Sequence, residues 1–196
     1  MIRGLLLLAL LLPLPAQVIA CFGDSLTAGY GLAEDEAWPA VLGRARPAWT
    51  VLNAGVSGDT SGAALRRVGW MLKARPDVVV IALGANDGLR GLPLERLEAN
   101  LADIISRVQA AGARPVLAGM RLPTNLGADY RDAFAAIYPR LAQRFAIPLL
   151  PFLLEGVAMV PDLNQADAIH PNAAGHRAIA ALVETTLAPL VTGKAP

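Results

Sequence analysis

Five short stretches of this chain are apolar almost without interruption: "QVIACF" (17–22), "TVLNAG" (50–55), "DVVVIALG" (77–84), "RPVLAGM" (114–120) and "IPLLPF" (147–152). Runs of this length that do not alternate with polar residues predict strands buried on both faces, as in a parallel sheet covered by helices. Between them the period lengthens. From Pro93 to Ala111, Leu94, Leu97, Leu101, Ile104, Ile105 and Val108 share one helical face, while Glu95, Glu98, Asp103 and Arg107 face away. Pro93 suits the first turn of that helix and Gly112 its stop. Near the C-terminus Ile179, Leu182, Val183, Leu187 and Leu190 repeat the spacing. Strand and helix therefore alternate, which predicts a three-layer α/β/α sandwich around a parallel sheet of about five strands with right-handed crossovers.

In such a sandwich, ligands sit beyond the carboxyl ends of the strands. Three glycine-bearing loops follow predicted strands: Gly23-Asp24-Ser25, Gly55-Val56-Ser57-Gly58 and Gly84-Ala85-Asn86-Asp87. None is a phosphate loop or a dinucleotide fingerprint, and the G-x-S-x-G elbow is missing. Glycine after a strand is by itself no more than a turn.

The scarcity of certain residues narrows the chemistry. The chain holds four serines (Ser25, Ser57, Ser61, Ser106) and two histidines (His170, His176). A serine nucleophile needs a base, and the base needs an orienting partner. Asp167-Ala168-Ile169-His170 offers such a pair in one loop, closed by Pro171 before a helix that starts near Asn172. Equally, His170 reads as a cap or a surface residue, and His176 as a surface or packing residue inside the helix. Ser106 falls mid-helix, while Ser57 and Ser61 flank the start of a helical segment near Asp59. Ser25 alone directly follows the first strand. There Asp24 also reads as a turn residue and Ser25 as a helix cap.

Composition excludes more than it assigns. With 55% hydrophobic and 17% charged residues, global disorder is ruled out. A formal net charge of +1 provides no footprint for nucleic acid. One cysteine allows no internal disulfide, and no Cys/His cluster has zinc spacing. The N-terminus, "MIRGLLLLALLLPLPAQ", has the basic start, short apolar run and small residue of a secretory signal peptide, with cleavage expected after Ala16. "VIAC" imitates a lipoprotein box, with Cys21 as the anchor. Cleavage there would remove most of the first strand and tether the chain four residues before Ser25, so Cys21 is expected to be a buried thiol.

"FGDSLTAGYG", "NAGVSGDT", "LGANDG" and "DAIHPNAAGH" occur in the order and approximate spacing of the four blocks of the GDSL/SGNH hydrolases. The chain resembles the bacterial thioesterase I/lysophospholipase/arylesterase branch over about residues 17 to 190. The resemblance implies the flavodoxin-like fold of that family in one domain (17–196). It implies Ser25 as nucleophile, His170 as general base and Asp167 as its orienting acid. It also implies an oxyanion hole made of Ser25 N–H, Gly55 N–H and the Asn86 amide, with Asp24, Asp59 and Asp87 organising the loops.

The implied substrate is a small-molecule acyl ester or thioester: fatty acyl thioesters, lysophospholipids or aryl esters. No cofactor, metal, nucleic acid or stable membrane anchor is expected, and the protein is expected to be an exported monomer. Leu89 and Leu92 in "GLRGLPL" (88–94), with the leucines of "MRLPTNLGADY" (120–130), either line an acyl groove or simply pack on the domain. Two rivals stand beside this reading: a carbohydrate O-acetylesterase with the same triad, and an exported binding module without turnover.

Overall fold

The computed structural model describes residues 17–191. The expected signal peptide, residues 1–16, lies outside them. The sheet has five parallel strands in the order β2-β1-β3-β4-β5, formed by β1 (Gln17–Gly23), β2 (Trp49–Gly55), β3 (Val78–Ala82), β4 (Arg114–Ala118) and β5 (Leu149–Leu150). β3 is buried at every position, β1 from Ile19 onward and β4 from Pro115 onward. This is the burial expected of continuous apolar runs in a covered parallel sheet.

The edge strands depart from that expectation. β2 is only part-buried, with Thr50 and Asn53 exposed, because one of its sides has no neighbouring strand. β5 is two residues long instead of six. Pro148 and Pro151 flank it and supply no N–H, so the ladder is held by Leu117 N–H donating to the Pro148 carbonyl and Gly119 N–H to Leu150.

α2 (Trp38–Ala45) packs against α7 (Ala173–Val191). On the other side α3 (Ser61–Leu72), α5 (Leu94–Ala110) and α6 (Ala128–Phe145) pack in succession. Right-handed crossovers place these two groups on opposite faces of the sheet. The chain runs from β1 outward to β2, then crosses back over β1 to β3. The carboxyl ends of β1 and β3 therefore open onto the crevice where such a sheet reverses direction. Two short helices stand there, α1 (Ser25–Ala28) after β1 and α4 (Ala85–Leu89) after β3.

Cys21 lies in β1, flanked by Asn53 of β2 and Val80 of β3, fully buried; loss of water pushes its thiol well above the ordinary range. A lipid-bearing N-terminal cysteine is incompatible with that position. His176 is also buried, on α7, where its Nδ1 accepts the Trp38 backbone N–H at 3.0 Å. It ties the two helices of one layer together. Among the described residues no helix is long and apolar enough to cross a membrane.

Candidate active site

Asp24 follows β1 and caps α1: its Oδ1 accepts Leu26 N–H at 3.0 Å, so Ser25 becomes the first helical residue. This corrects the alternative in which Ser25 itself is the cap. Its hydroxyl is free to point outward, and it lies 3.0 Å from His170 Nε2. The other imidazole nitrogen, Nδ1, is 2.6 Å from Asp167 Oδ2.

The loop carrying Asp167 and His170 is shaped by the same carboxylate. Asp167 Oδ1 accepts the backbone N–H of Ile169 at 3.0 Å and of His170 at 2.9 Å, while Ala168 turns through φ 56°. Asn172 then caps α7 by accepting from Ala174 and Gly175. The His170 backbone N–H, then its ring, then the Ile169 N–H lower the Asp167 carboxyl to about 2. Asp167 is thus an ionised acceptor that cannot donate. His170 Nδ1 must carry the proton, and Nε2 is left as the acceptor for the serine hydroxyl.

The third loop brings Asn86 to the same place. Gly84 turns the chain at φ 113°, a conformation glycine tolerates, and α4 begins immediately after it. Asn86 Nδ2 donates to the buried carboxylate of Asp24 at 3.4 Å, and Asn86 Oδ1 accepts from Arg90 at 3.3 Å. The expected loop-organising aspartates do hold loops. Asp87 accepts the backbone N–H and hydroxyl of Ser61 at 2.7 and 2.6 Å, which anchors α4 to the start of α3. Asp59 accepts from Arg67 at 2.6 Å.

Two expectations are corrected. The Gly55 N–H is donated to Asn53 Oδ1 at 3.0 Å, so it does not face the site as a free donor. Gly55 is needed for space: a Cβ there would run into the backbone of Thr27 and Ala28 in the nucleophile turn. Along the same loop, the N–H of Gly58 has no acceptor among the described residues, nor does that of Ser25. Leu92 is the second. It stands exposed on a turn whose carbonyl accepts from the Tyr130 hydroxyl, away from the cavity walls, whereas Leu89 does line them.

That cavity, about 410 Å³, has Ser25, Asn86 and His170 among its lining residues. Its remaining wall is mostly apolar: Leu26, Leu89, Met120, Leu122, Phe152, Leu154, Ala158, Met159 and Ile169. Among the described residues no group of acidic, histidine or cysteine side chains is arranged to hold a metal ion.

Several contributors carry no local signal in the sequence. Tyr30 lays its ring against His170, with centroids 4.7 Å apart, and Gln165 fastens the Tyr30 carbonyl at 2.7 Å. Arg67 reaches the Gly23 and Ala54 carbonyls at 2.9 and 2.8 Å, over the Phe22 ring, and so clamps the ends of β1 and β2.

A hydroxyl bonded to an imidazole that is oriented by a carboxylate, with an apolar cavity alongside, is equipped for acyl transfer. The known proteins this chain resembles agree with that chemistry. It is 44% identical to the thioesterase 1/protease 1/lysophospholipase L1 of Escherichia coli (strain K12), covering 90% of this chain and 86% of that protein. It is 40% identical to the esterase TesA of Pseudomonas aeruginosa, covering 90% of each. The crystal structure of the psychrotrophic esterase EstA from Pseudoalteromonas sp., inhibited by monoethylphosphonate, superposes with a TM-score of 0.86 at 33% identity, over 90% of this chain and all of that one. The family model of the GDSL-like lipases/acylhydrolases matches residues 21–178, from the buried first strand into the last helix, and the chain belongs to that family.

Proposed function

We propose that the protein is a serine hydrolase that cleaves esters and thioesters of extended acyl chains through an acyl-enzyme on Ser25. The observation that carries this reading is the continuous chain Asp167–His170–Ser25, with contacts of 2.6 and 3.0 Å, opening onto a mostly apolar cavity. His170 Nε2 takes the Ser25 proton as Oγ attacks the acyl carbonyl, and His170 then returns that proton to the leaving alkoxide or thiolate. Water, activated by the same imidazole, releases the acid.

The tetrahedral oxyanion needs donors fixed in advance. We assign these to Ser25 N–H, one Asn86 Nδ2–H and, in place of Gly55, Gly58 N–H. The leucine, methionine and phenylalanine walls favour an acyl chain over a sugar. Residues 1–16 are assigned as a leader removed on export, leaving the catalytic domain from Gln17. Intact-mass analysis of exported protein checks this; a lipid on Cys21 is the contrary result.

Hydrolysis of p-nitrophenyl esters from acetate to palmitate, by the protein and by Ser25→Ala, tests the reaction. Turnover that depends on Ser25 and peaks at medium or long chains is expected. Turnover of acetate alone makes the protein a deacetylase, and equal rates for the two proteins refute the mechanism.

A further inference from the structure

Arg90 is an exposed residue at the end of α4 with no part in the chemistry above. Its Nη2 nevertheless donates to two acceptors: the Gly58 carbonyl at 3.0 Å and Asn86 Oδ1 at 3.3 Å. One acceptor belongs to the loop after β2 and the other to the helix after β3. A single guanidinium nitrogen thus joins two loops that each carry an oxyanion donor.

The consequence for Asn86 follows from its inventory of one carbonyl oxygen and two N–H bonds. Its oxygen accepts from Arg90, and one N–H goes to the Asp24 carboxylate at 3.4 Å. The second N–H has no acceptor among the described residues. A guanidinium can only donate, and an ionised carboxylate can only accept. Turning the amide over would set NH₂ against guanidinium and carbonyl against carboxylate, so the two partners hold it one way round.

We infer that Arg90 is a positioning residue for acyl transfer, holding the Asn86 amide with its free N–H toward the substrate carbonyl and keeping the Gly58 loop beside it. This rests on the serine-hydrolase reading above. Hydrogen bonds and ion pairs of exposed arginines add little to stability, so the fold does not depend on Arg90. Oxyanion stabilisation does depend on alignment, and a donor that is displaced or rotated loses its effect in the transition state more than in the ground state.

A double-mutant cycle on p-nitrophenyl butyrate hydrolysis tests the inference, with Arg90→Ala, Asn86→Ala and both together, alongside thermal melts. Arg90→Ala is expected to lower kcat about 10- to 50-fold, short of complete loss of a donor, with KM within about twofold and an unchanged melting temperature. In the Asn86→Ala background the same change is expected to cost less than about threefold, because the amide it orients is gone and only its hold on the Gly58 loop remains. Should Arg90→Ala fail to fold, Arg90→Met, which keeps the aliphatic stem, carries the same expectations. An equal loss in both backgrounds overturns the inference. So does a loss confined to KM, which would make Arg90 a substrate-binding cation. Turnover that survives Ser25→Ala would instead refute the underlying reaction, a result distinguishable from either.

Discussion

Asp24 immediately precedes the nucleophile and has no exposed surface. Two neutral donors, Leu26 N–H and Asn86 Nδ2–H, do not offset the loss of water, and burial pushes its carboxyl from the ordinary 3.8 up to about 6. The folded protein therefore binds this proton more tightly than the unfolded chain does. Well below 3.8 both states hold it and the site costs little. Between about 4 and 6 the unfolded chain ionises first, and stability falls as pH rises. Above 6 the whole penalty stands, about 3 kcal/mol for a shift of this size. Asp24→Asn removes the titration.

In urea denaturation, the stability of Asp24→Asn relative to the parent is expected to move in the variant's favour by about 2–3 kcal/mol between pH 4 and pH 8. Changes in hydrogen bonding that do not depend on pH cancel in that difference. Activity should move the other way. With the oxygen of the introduced amide kept by Leu26 N–H, its NH₂ faces the Asn86 NH₂ donor to donor, and kcat at pH 8 is expected to fall at least about tenfold. A stability difference that stays flat with pH would show that Asp24 ionises in the folded protein as easily as in water, and the reasoning would be wrong.

Other expectations concern separate links. Burial, and secondarily the charge of His170, lowers His176 to about 4, so its contribution is present above 6.5 and is lost as pH falls toward 4. His176→Gln, which can still accept the Trp38 N–H, is expected to lose about 2 kcal/mol less than the parent between pH 7.5 and 5, read by urea melts. His176→Leu leaves that N–H unpartnered and should cost about 1–3 kcal/mol at pH 7.5. Asp167→Asn should lower kcat about 10³-fold or more with an unchanged circular dichroism spectrum, since the ring loses the acceptor that sets its tautomer; a loss below tenfold would contradict the triad. Ala158→Phe adds bulk to the cavity wall and should shift the preferred p-nitrophenyl ester to shorter chains while leaving acetate turnover intact.

The central strands were legible because burial on two faces leaves a continuous apolar run, as in "VVVIA" of β3. α6 was not, since Pro139 lies inside it and a pattern of helical spacing does not announce a helix that tolerates proline. Spacing alone left Ser25 open as a cap and His170 as a surface residue; the resemblance of the four blocks to the GDSL/SGNH hydrolases is what implied Ser25, Asp167 and His170. The Gly55 assignment failed for a local reason. The resemblance was carried onto Gly55 of "NAGVSGDT", yet Asn53 reaches two residues forward and takes the Gly55 N–H. An asparagine placed to form such a turn was the signal available. Arg67, Arg90 and Tyr30 act through contacts between distant loops, and no sequence spacing encodes those.

These cross-loop contacts explain how the site can hold groups that disfavour folding. Asp24 is an underhydrated carboxylate, and Ala168 sits at φ 56°. Each is a departure that a domain selected for stability alone would repair. They are confined to loops tied to one another: Asp87 joins α4 to α3, Arg67 clamps the ends of β1 and β2, Gln165 joins the histidine loop to Tyr30, and Arg90 joins Gly58 to Asn86. A donor that faces the cavity stays aimed only if its neighbours are not free to turn toward it. Removing a tie should therefore reduce kcat before it reduces stability, whereas removing the desolvated carboxylate itself, as in Asp24→Asn, should improve relative stability between pH 4 and pH 8 while reducing kcat. Opposite directions of these two changes distinguish preorganisation from simple structural support.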